Sequence, residues 1–259
     1  MDIYYLAPIY GVPYRFSYQH ILLLLISISY ILALSMILRQ KSFNSQRLVL
    51  LFLIIISSLI FVGRMYFGWE GARIYNKGSK TTLLPLELCN INIFITLIAL
   101  LINNKRLNNY LYYVSLLGAS ISLIIFPDCH MWPDKTIFHY MFLDYYFIHT
   151  QLVAIPIVMI VCGWFRPDFK EILWMILFVF IYFTFAFLMS ALLRNFESFK
   201  TANYMYTFDH TNLPILKHLY AFIPLPYIYE LPLIILVAIV FGLMGLPFIM
   251  LNKKGQKYE

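Results

Sequence analysis

The chain has 259 residues, of which 62% are hydrophobic and only 12% are charged. A soluble domain of this length does not need so much apolar sequence for its core, so the composition excludes an ordinary soluble enzyme. It predicts an integral membrane protein whose partners are membrane lipids. The formal net charge is +7. A basic cytoplasmic rim beside anionic lipid headgroups explains this charge, and we expect no nucleic acid partner.

Seven apolar runs are long enough to cross about 30 Å of hydrocarbon, which takes roughly 20 residues of helix. The runs are continuously apolar, whereas barrel strands alternate, so they predict an all-α, polytopic membrane helical bundle of about seven transmembrane helices. The linkers are too short for a second domain, and residues 1–259 are expected to form a single integral membrane domain. The predicted spans are 21–38, 48–67, 83–102, 110–126, 138–164, 172–193 and 228–251.

The first span resembles a secretion signal, because residues 33–35 mimic a small-residue cleavage site. We expect a retained helix instead, since basic residues follow the run at Arg39 and Lys41. Lysine and arginine divide almost evenly between the two sides of the membrane. The inner connections are short, however, whereas the outer ones include the long loops 67–82 and 193–227. Basic residues are therefore denser on the inner side, which predicts an N-out/C-in orientation.

Cysteine usage and motifs narrow the chemistry. The three cysteines, Cys89, Cys129 and Cys162, cannot all pair, and none has the spacing typical of a zinc site. The sequence lacks the GxGxxG, P-loop, HExxH and GxSxG motifs of nucleotide-binding proteins, metalloproteases and α/β-hydrolases. We therefore expect neither a cofactor nor a metal ion.

Polar side chains inside the predicted spans are costly in lipid and therefore mark candidate sites. The third span contains the stretch LPLELCNI, which begins at residue 84. On a helix, Glu87 and Asn90 share one face. Cys89, Asn92 and Thr96 lie on another face at spacings of three and four. The span is thus expected to present two polar stripes.

The fifth span repeats this pattern. Asp144 and Gln151 are expected on one face, and His149 on a neighbouring face with Tyr146 nearly one turn before it. Pro156 lies further along and is expected to kink the helix and open a cavity beside it. The depth of each residue below the outer end of its span follows from a rise of 1.5 Å per residue. The depths of Cys89 and His149 allow their side chains to meet.

Six segments follow one another in a characteristic order along most of the chain: LPLELCNI, Phe126-Pro127-Asp128, Phe138-His139, Ile148-His149-Thr150, Arg166-Pro167 and Ala202-Asn203-Tyr204-Met205. This order resembles the YwaF-type bacterial integral membrane proteins. That family is similar, more distantly, to a eukaryotic transmembrane acyltransferase that remodels ether phospholipids through a membrane cysteine. The resemblance implies a bacterial, multi-pass plasma membrane protein.

The same resemblance implies a reaction. Cys89 matches the acyl-accepting cysteine of the family, and His149 matches the histidine that acts as its base. The reaction is then acyl transfer, or acyl hydrolysis, through a thioester, with phospholipid acyl chains as the expected donor. A thiol in an apolar site needs a nearby imidazole to take its proton, so the chemistry is reasonable.

Supporting roles follow from this reading. Asn90, Asn92 or Tyr146 is expected to donate hydrogen bonds to the oxyanion, and Asp144 to fix the tautomer of the imidazole. Glu87 stands where the family pattern often has histidine or glutamine, and its charge is expected to need a partner in Arg64. These residues lie in the spans listed above.

The long loop 194–227 carries Asn203 and Tyr204, which we expect to line the substrate pocket. The loop is rich in tyrosine and leucine, and such a stretch does not stay in water by itself. It is therefore expected to be ordered or re-entrant, with its part 202–227 serving as a lid.

Other interpretations of the same residues remain open. A small transporter would use Glu87, Asp144 and His149 as a proton or substrate relay. A structural membrane subunit would need them only to hold helices together. Cys89 is then a small packing residue, and His149 only bonds a neighbouring carbonyl.

Overall fold

The computed structural model describes residues 16–75, 84–125, 140–209 and 214–255. All regular structure in these ranges is helical, and no strand occurs among them. The α-helices are α1 (Tyr18–Arg39), α2 (Phe43–Tyr75), α3 (Leu88–Ile102), α4 (Lys105–Tyr110), α5 (Leu116–Ile125), α6 (Tyr140–Val161), α7 (Ile172–Leu193), α8 (Pro214–Phe222) and α9 (Leu231–Gly255).

Five of the described helices, α1, α2, α6, α7 and α9, are long and apolar enough to cross a membrane. Helix α3 is apolar but has only 15 residues. Helices α4 and α5 are joined by a π-helical segment, Leu111–Ser115, where a single helix was predicted. The all-helical fold class is thus confirmed and fits a membrane bundle. The count of seven crossings and the N-out/C-in orientation stay predictions.

Local sequence explains where several helices begin and end. The side chain of Ser17 accepts a hydrogen bond from the first turn of α1, and that of Asn104 does the same for α4. Helix α3 ends at Ile102, and the next residue, Asn103, adopts a left-handed conformation with φ of 51°. Helix α6 ends at Val161 and is followed by Gly163, whose φ of 78° suits a residue without a Cβ atom.

The chain divides into two compact units. The first takes its described residues from Met1–Phe61 and Asn92–Phe165, and the second from Val62–Ile91 and Arg166–Glu259. Helices α2 and α3 each contribute residues to both.

Helix α6 is the central helix of the first unit and packs against α1, α5 and the π-helical segment. Its apolar window is 72% buried, whereas that of α1 is 22% buried. Polar contacts join α6 to α1, because Ser27 and Thr150 share a hydrogen bond of 2.8 Å. The hydroxyl of Tyr30 also donates to Gln151 at 3.1 Å. Helix α6 is therefore the most buried of the five long apolar helices in the described part of the chain.

The second unit is built on α7, which packs against α9 and against a short 3₁₀ turn, Tyr204–Tyr206. Ala186 of α7 forms a small apolar core with Ala202 and Tyr204. Leu84 and Leu86, which precede α3, pack against this core. The described part of loop 194–227 folds into short helical turns and α8. Its re-entrant character stays a prediction.

Candidate functional site

The stretch before α3 is not helical, which corrects the predicted span. Helix α3 begins at Leu88, so Glu87 precedes it and does not share a helical face with Asn90. As the residue just before the helix, Glu87 accepts the first helical hydrogen bonds at its backbone carbonyl, from the N–H groups of Asn90, at 3.0 Å, and Ile91, at 3.2 Å. The stretch before Leu88 makes hydrogen bonds to other parts of the second unit. These bonds take the place of a further helical turn.

Two reciprocal contacts join the start of α3 to the Tyr204–Tyr206 turn. The N–H of Met205 donates to Glu87 Oε2 at 3.3 Å, and the N–H of Leu88 donates to Met205 Sδ at 3.4 Å. The N–H groups in the first turn of a helix lack partners within the helix, so the second contact satisfies one of them. Met205 itself has a φ of 55°, which is uncommon for a residue other than glycine. The turn is thus shaped around the beginning of α3.

Helix α7 holds the same stretch from another direction. The hydroxyl of Tyr182 donates to the backbone carbonyl of Leu86 at 2.8 Å, and Tyr182 is itself buried. A buried carbonyl without a partner is costly, so this contact fixes the path of the chain into α3. Sequence patterns contain no signal for it, because Tyr182 lies inside a continuously apolar run.

Cys89 is the second residue of α3 and is half-buried. Tyr182 and Tyr206 of the second unit lie within electrostatic reach of Cys89. The N-terminus of a helix carries a partial positive charge, which favours negative charge developing beside Cys89. The thiol therefore sits in a polar setting at the edge of an apolar helix.

Arg64 of α2 donates a hydrogen bond from Nη2 to Asn90 Oδ1 at 3.3 Å. Arg64 was expected to pair with Glu87, whereas this hydrogen bond goes to Asn90, three residues further along. Its guanidinium adds a formal positive charge close to the first turn of α3. Pairing of Arg64 with Glu87 stays a prediction.

Tyr204 and Asn203 are placed differently from one another. Tyr204 is buried, and burial with the nearby charge of Glu87 raises its pKa to about 12. Asn203 closes its own loop, since its Oδ1 accepts from the N–H groups of Phe208 and Asp209. Its Nδ2 also donates to the carbonyl of Asp209 at 2.8 Å. Asn203 thus has a structural role in its loop, and its role in a substrate pocket stays a prediction.

Glu230 is a polar residue of this region that the sequence analysis missed. It immediately precedes α9, is only 2% exposed, and lies within electrostatic reach of Glu87. Its Oε2 atom has no hydrogen-bond partner in the described part of the chain. The available signal was an acidic residue within the run 228–251, which is otherwise apolar. Glu87 and Glu230 are therefore two acidic side chains of the second unit that influence one another.

In the first unit, the ring of His149 bonds to its own helix. Nδ1 lies 2.7 Å from the backbone carbonyl of Tyr145. A carbonyl only accepts, so Nδ1 carries the proton and Nε2 of the neutral ring keeps its lone pair. Tyr145 thereby performs the orienting role expected of Asp144. The contact also agrees with the alternative, structural interpretation of His149, which predicted a bond to a neighbouring carbonyl.

The other predicted residues of the first unit are buried. Asp144 and Tyr146 are each 5% exposed, and Asn92 is fully buried. The hydroxyl of Tyr110 donates to Asn92 Oδ1. His20, just before the predicted first span, is fully buried and has both ring nitrogens bonded, to the Phe16 N–H and the Leu123 carbonyl.

The structure thus brings some predicted residues together in each unit. Glu87, Cys89, Asn90 and Tyr204 belong to the second unit, and Asn92, Asp144, Tyr146 and His149 to the first. The pairing of Cys89 with His149 stays a prediction. In the described ranges, no three His, Cys, Asp or Glu side chains are grouped as metal ligands.

Comparison with known proteins identifies the family. The model of the TMEM164 family, a transmembrane family, matches residues 15–250. No curated protein and no solved structure gives a significant match. Since the match covers nearly the whole chain, and five of the described helices are long and apolar enough to span a membrane, the chain belongs to the TMEM164 family.

Proposed function

We propose that this protein is a membrane-embedded acyltransferase that carries a lipid acyl chain as a thioester on Cys89. The observation that supports this best is the setting of the thiol. It lies in the first turn of α3, after a stretch whose backbone is held by Tyr182 and Met205. A packing cysteine does not need such a setting, whereas a nucleophile does, since small displacements of reacting groups are costly to rate.

The proposed reaction has two steps. In the first, the sulfur of Cys89 attacks the ester carbonyl of a phospholipid, the thiol proton passes to Nε2 of His149, and the lysolipid alcohol leaves with that proton. In the second, an acceptor hydroxyl attacks the thioester and gives its proton to the same nitrogen, which returns it to the sulfur. Water as the acceptor makes the reaction a hydrolysis.

The residues around the thiol suit the charge that develops. The tetrahedral intermediate carries an oxyanion, which hydrogen-bond donors and the positive end of a helix stabilise. Arg64 and Asn90 place a guanidinium and an amide close to the first turn of α3. Participation of His149 requires its imidazole to reach Cys89, and this is part of the proposal.

The proposal is tested by trapping the intermediate. The purified protein, in lipid nanodiscs, is incubated with a phospholipid that carries an alkyne-tagged acyl chain, and the tag is then coupled to a fluorophore. We expect labelling that neutral hydroxylamine removes, because hydroxylamine cleaves thioesters. Cys89→Ala should lose the label, whereas Cys162→Ala, the matched control, should keep it. Equal labelling of Cys89→Ala contradicts the proposal.

A second candidate function is a proton or substrate relay. It is favoured by the polar contacts between α1 and α6, where Ser27 bonds Thr150 and Tyr30 bonds Gln151. Such a seam of paired polar groups at membrane depth is typical of transport pathways. A relay should carry protons across sealed vesicles and keep doing so in Cys89→Ser. Vesicles that stay proton-tight exclude the proton relay.

A further inference from the structure

A pair of buried polar side chains on α3 is not explained by the proposed acyl transfer. Asn92 and Thr96 belong to the first unit and are both fully buried. The Nδ2 atom of Asn92 and the Oγ1 atom of Thr96 have no hydrogen-bond partner in the described part of the chain. Side chains four apart on a helix are neighbours, so the two orphaned atoms belong to adjacent groups on one face of α3.

The missing hydrogen bond of Asn92 does not depend on which way its side-chain amide is oriented. Asn92 Oδ1 accepts from the hydroxyl of Tyr110. If the amide is turned over, Nδ2 donates to the same hydroxyl and Oδ1 loses its partner. One amide atom of Asn92 lacks a partner in either case.

Thr96 differs from other hydroxyl residues of the described helices. Hydroxyl groups inside helices often bond the carbonyl four residues earlier. Four others do so, at 2.8–3.0 Å, namely Ser57, Ser58, Ser122 and Thr184. The oxygen of Thr96 makes no such contact. Its hydroxyl therefore stays available for a partner from outside its own helix.

The chemistry of the two groups identifies the class of ligand. The orphaned groups are an amide and a hydroxyl, and neither carries a formal charge. An apolar occupant leaves both groups unsatisfied, and a bare cation prefers charged oxygen ligands. A molecule that both accepts and donates satisfies the two groups at once.

We propose that a buried water molecule binds between Asn92 and Thr96. It accepts a hydrogen bond from Asn92 Nδ2 and donates one to Thr96 Oγ1, and the oxygen of Tyr110 lies next to it. Buried water typically makes about three hydrogen bonds to groups that otherwise have no partner. The following π-helix, Leu111–Ser115, contains a further fully buried hydroxyl, that of Ser115, which has no partner among the described residues. Short π-helical segments occur frequently at functional sites.

The water site is tested by X-ray radiolytic footprinting of the full chain in nanodiscs. Ionised bound water oxidises adjacent side chains within milliseconds, and tyrosine is a reactive reporter. We expect Tyr110 to be oxidised several-fold faster than Tyr229, which is fully buried in the second unit. Thr96→Val keeps the shape of the side chain, removes the hydroxyl, and should lower the oxidation of Tyr110 severalfold. Ser57→Ala, whose hydroxyl is bonded within its own helix, should leave it unchanged.

The melting temperature gives a second readout with a definite sign. If the site holds water, Thr96→Val removes a bonded hydroxyl and should lower the melting temperature by about 2–4 °C. If the site is dry, the same change removes an unsatisfied hydroxyl and should raise it. Wild-type oxidation of Tyr110 no faster than that of Tyr229, or a higher melting temperature in Thr96→Val, overturns the proposal. The wild-type comparison needs no variant to fold.

Discussion

The two regions that carry the proposed chemistry are held in opposite ways. His149 in the first unit is oriented by Tyr145, only four residues earlier on the same helix. The stretch before Cys89 in the second unit is held by Tyr182 and Met205, which lie about a hundred residues further along the chain. The first arrangement forms as soon as α6 forms. The second exists only when the second unit has folded, so substitutions at these two places should affect different properties.

The largest expected effect is the loss of activity when His149 is replaced. Replacing His149 with alanine removes the proposed base, and acyl transfer should slow by about 10²- to 10⁴-fold. Because Nδ1 of His149 bonds a carbonyl of its own helix, the folded fraction should change little. The rate of transfer from a tagged phospholipid measures the effect.

Tyr145→Phe is the matched control for His149. It keeps the backbone carbonyl that orients the imidazole and removes the hydroxyl that donates to the carbonyl of Ser122. Activity should stay within a few fold of wild type. Nearly normal transfer by His149→Ala would show that the histidine is structural.

The next effect is on stability, at Glu87. Glu87→Leu removes the acceptor for the N–H of Met205 and should lower the free energy of unfolding by about 1–3 kcal/mol. Hydrogen exchange should accelerate in residues 84–91, at the start of α3. Glu87→Gln retains an oxygen acceptor and should behave nearly as wild type. Equal exchange in the leucine and glutamine variants would mean that this contact does not hold the stretch.

A smaller effect is expected at Tyr182. Tyr182→Phe keeps the ring and removes the hydroxyl that donates to Leu86, which should cost about 0.5–1.5 kcal/mol of unfolding free energy. Thermal unfolding in detergent measures the loss. Combining Tyr182→Phe with Glu87→Leu should give a non-additive change, because both residues hold the same stretch. Strictly additive changes would separate the two contacts.

The smallest effect is expected at an exposed ion pair. Lys200 and Glu197 approach to 2.5 Å, but their side chains are 64% and 84% exposed. Exposed pairs contribute about 0–1 kcal/mol, so Lys200→Ala should leave the melting temperature almost unchanged. A drop as large as that of Glu87→Leu would show that this turn is held by charge.

The contrast between the two regions also explains what the sequence allowed us to predict. Apolar runs predict helices because a membrane-spanning helix forms all its backbone hydrogen bonds within itself. The bond of His149 is local as well, because its partner lies four residues earlier on the same helix. The break before α3 could not be foreseen, since it depends on Tyr182 and Met205, which no short-range pattern connects to Glu87. Glu230 was missed because a single acid at the start of an apolar run resembles an ordinary helix end.

The π-helical segment between α4 and α5 is another such case. Its residues, Leu111–Ser115, have the same apolar pattern as an α-helix, and the sequence predicted one. Asn203 shows the converse, because the resemblance drew attention to it while the structure uses its amide to close a loop. Patterns therefore located the polar residues, and the packing of each unit decided what those residues contact.

The most direct measurement is the mass of the intact protein after incubation with a phospholipid of known acyl chains. If Cys89 carries the chain, a fraction of the wild-type protein gains the mass of one acyl group, and fragmentation places it on Cys89. The same mass gain should persist in Cys162→Ala and vanish in Cys89→Ala. A gain that persists in Cys89→Ala, or its absence under turnover of lipid by the wild type, would contradict a thioester on Cys89.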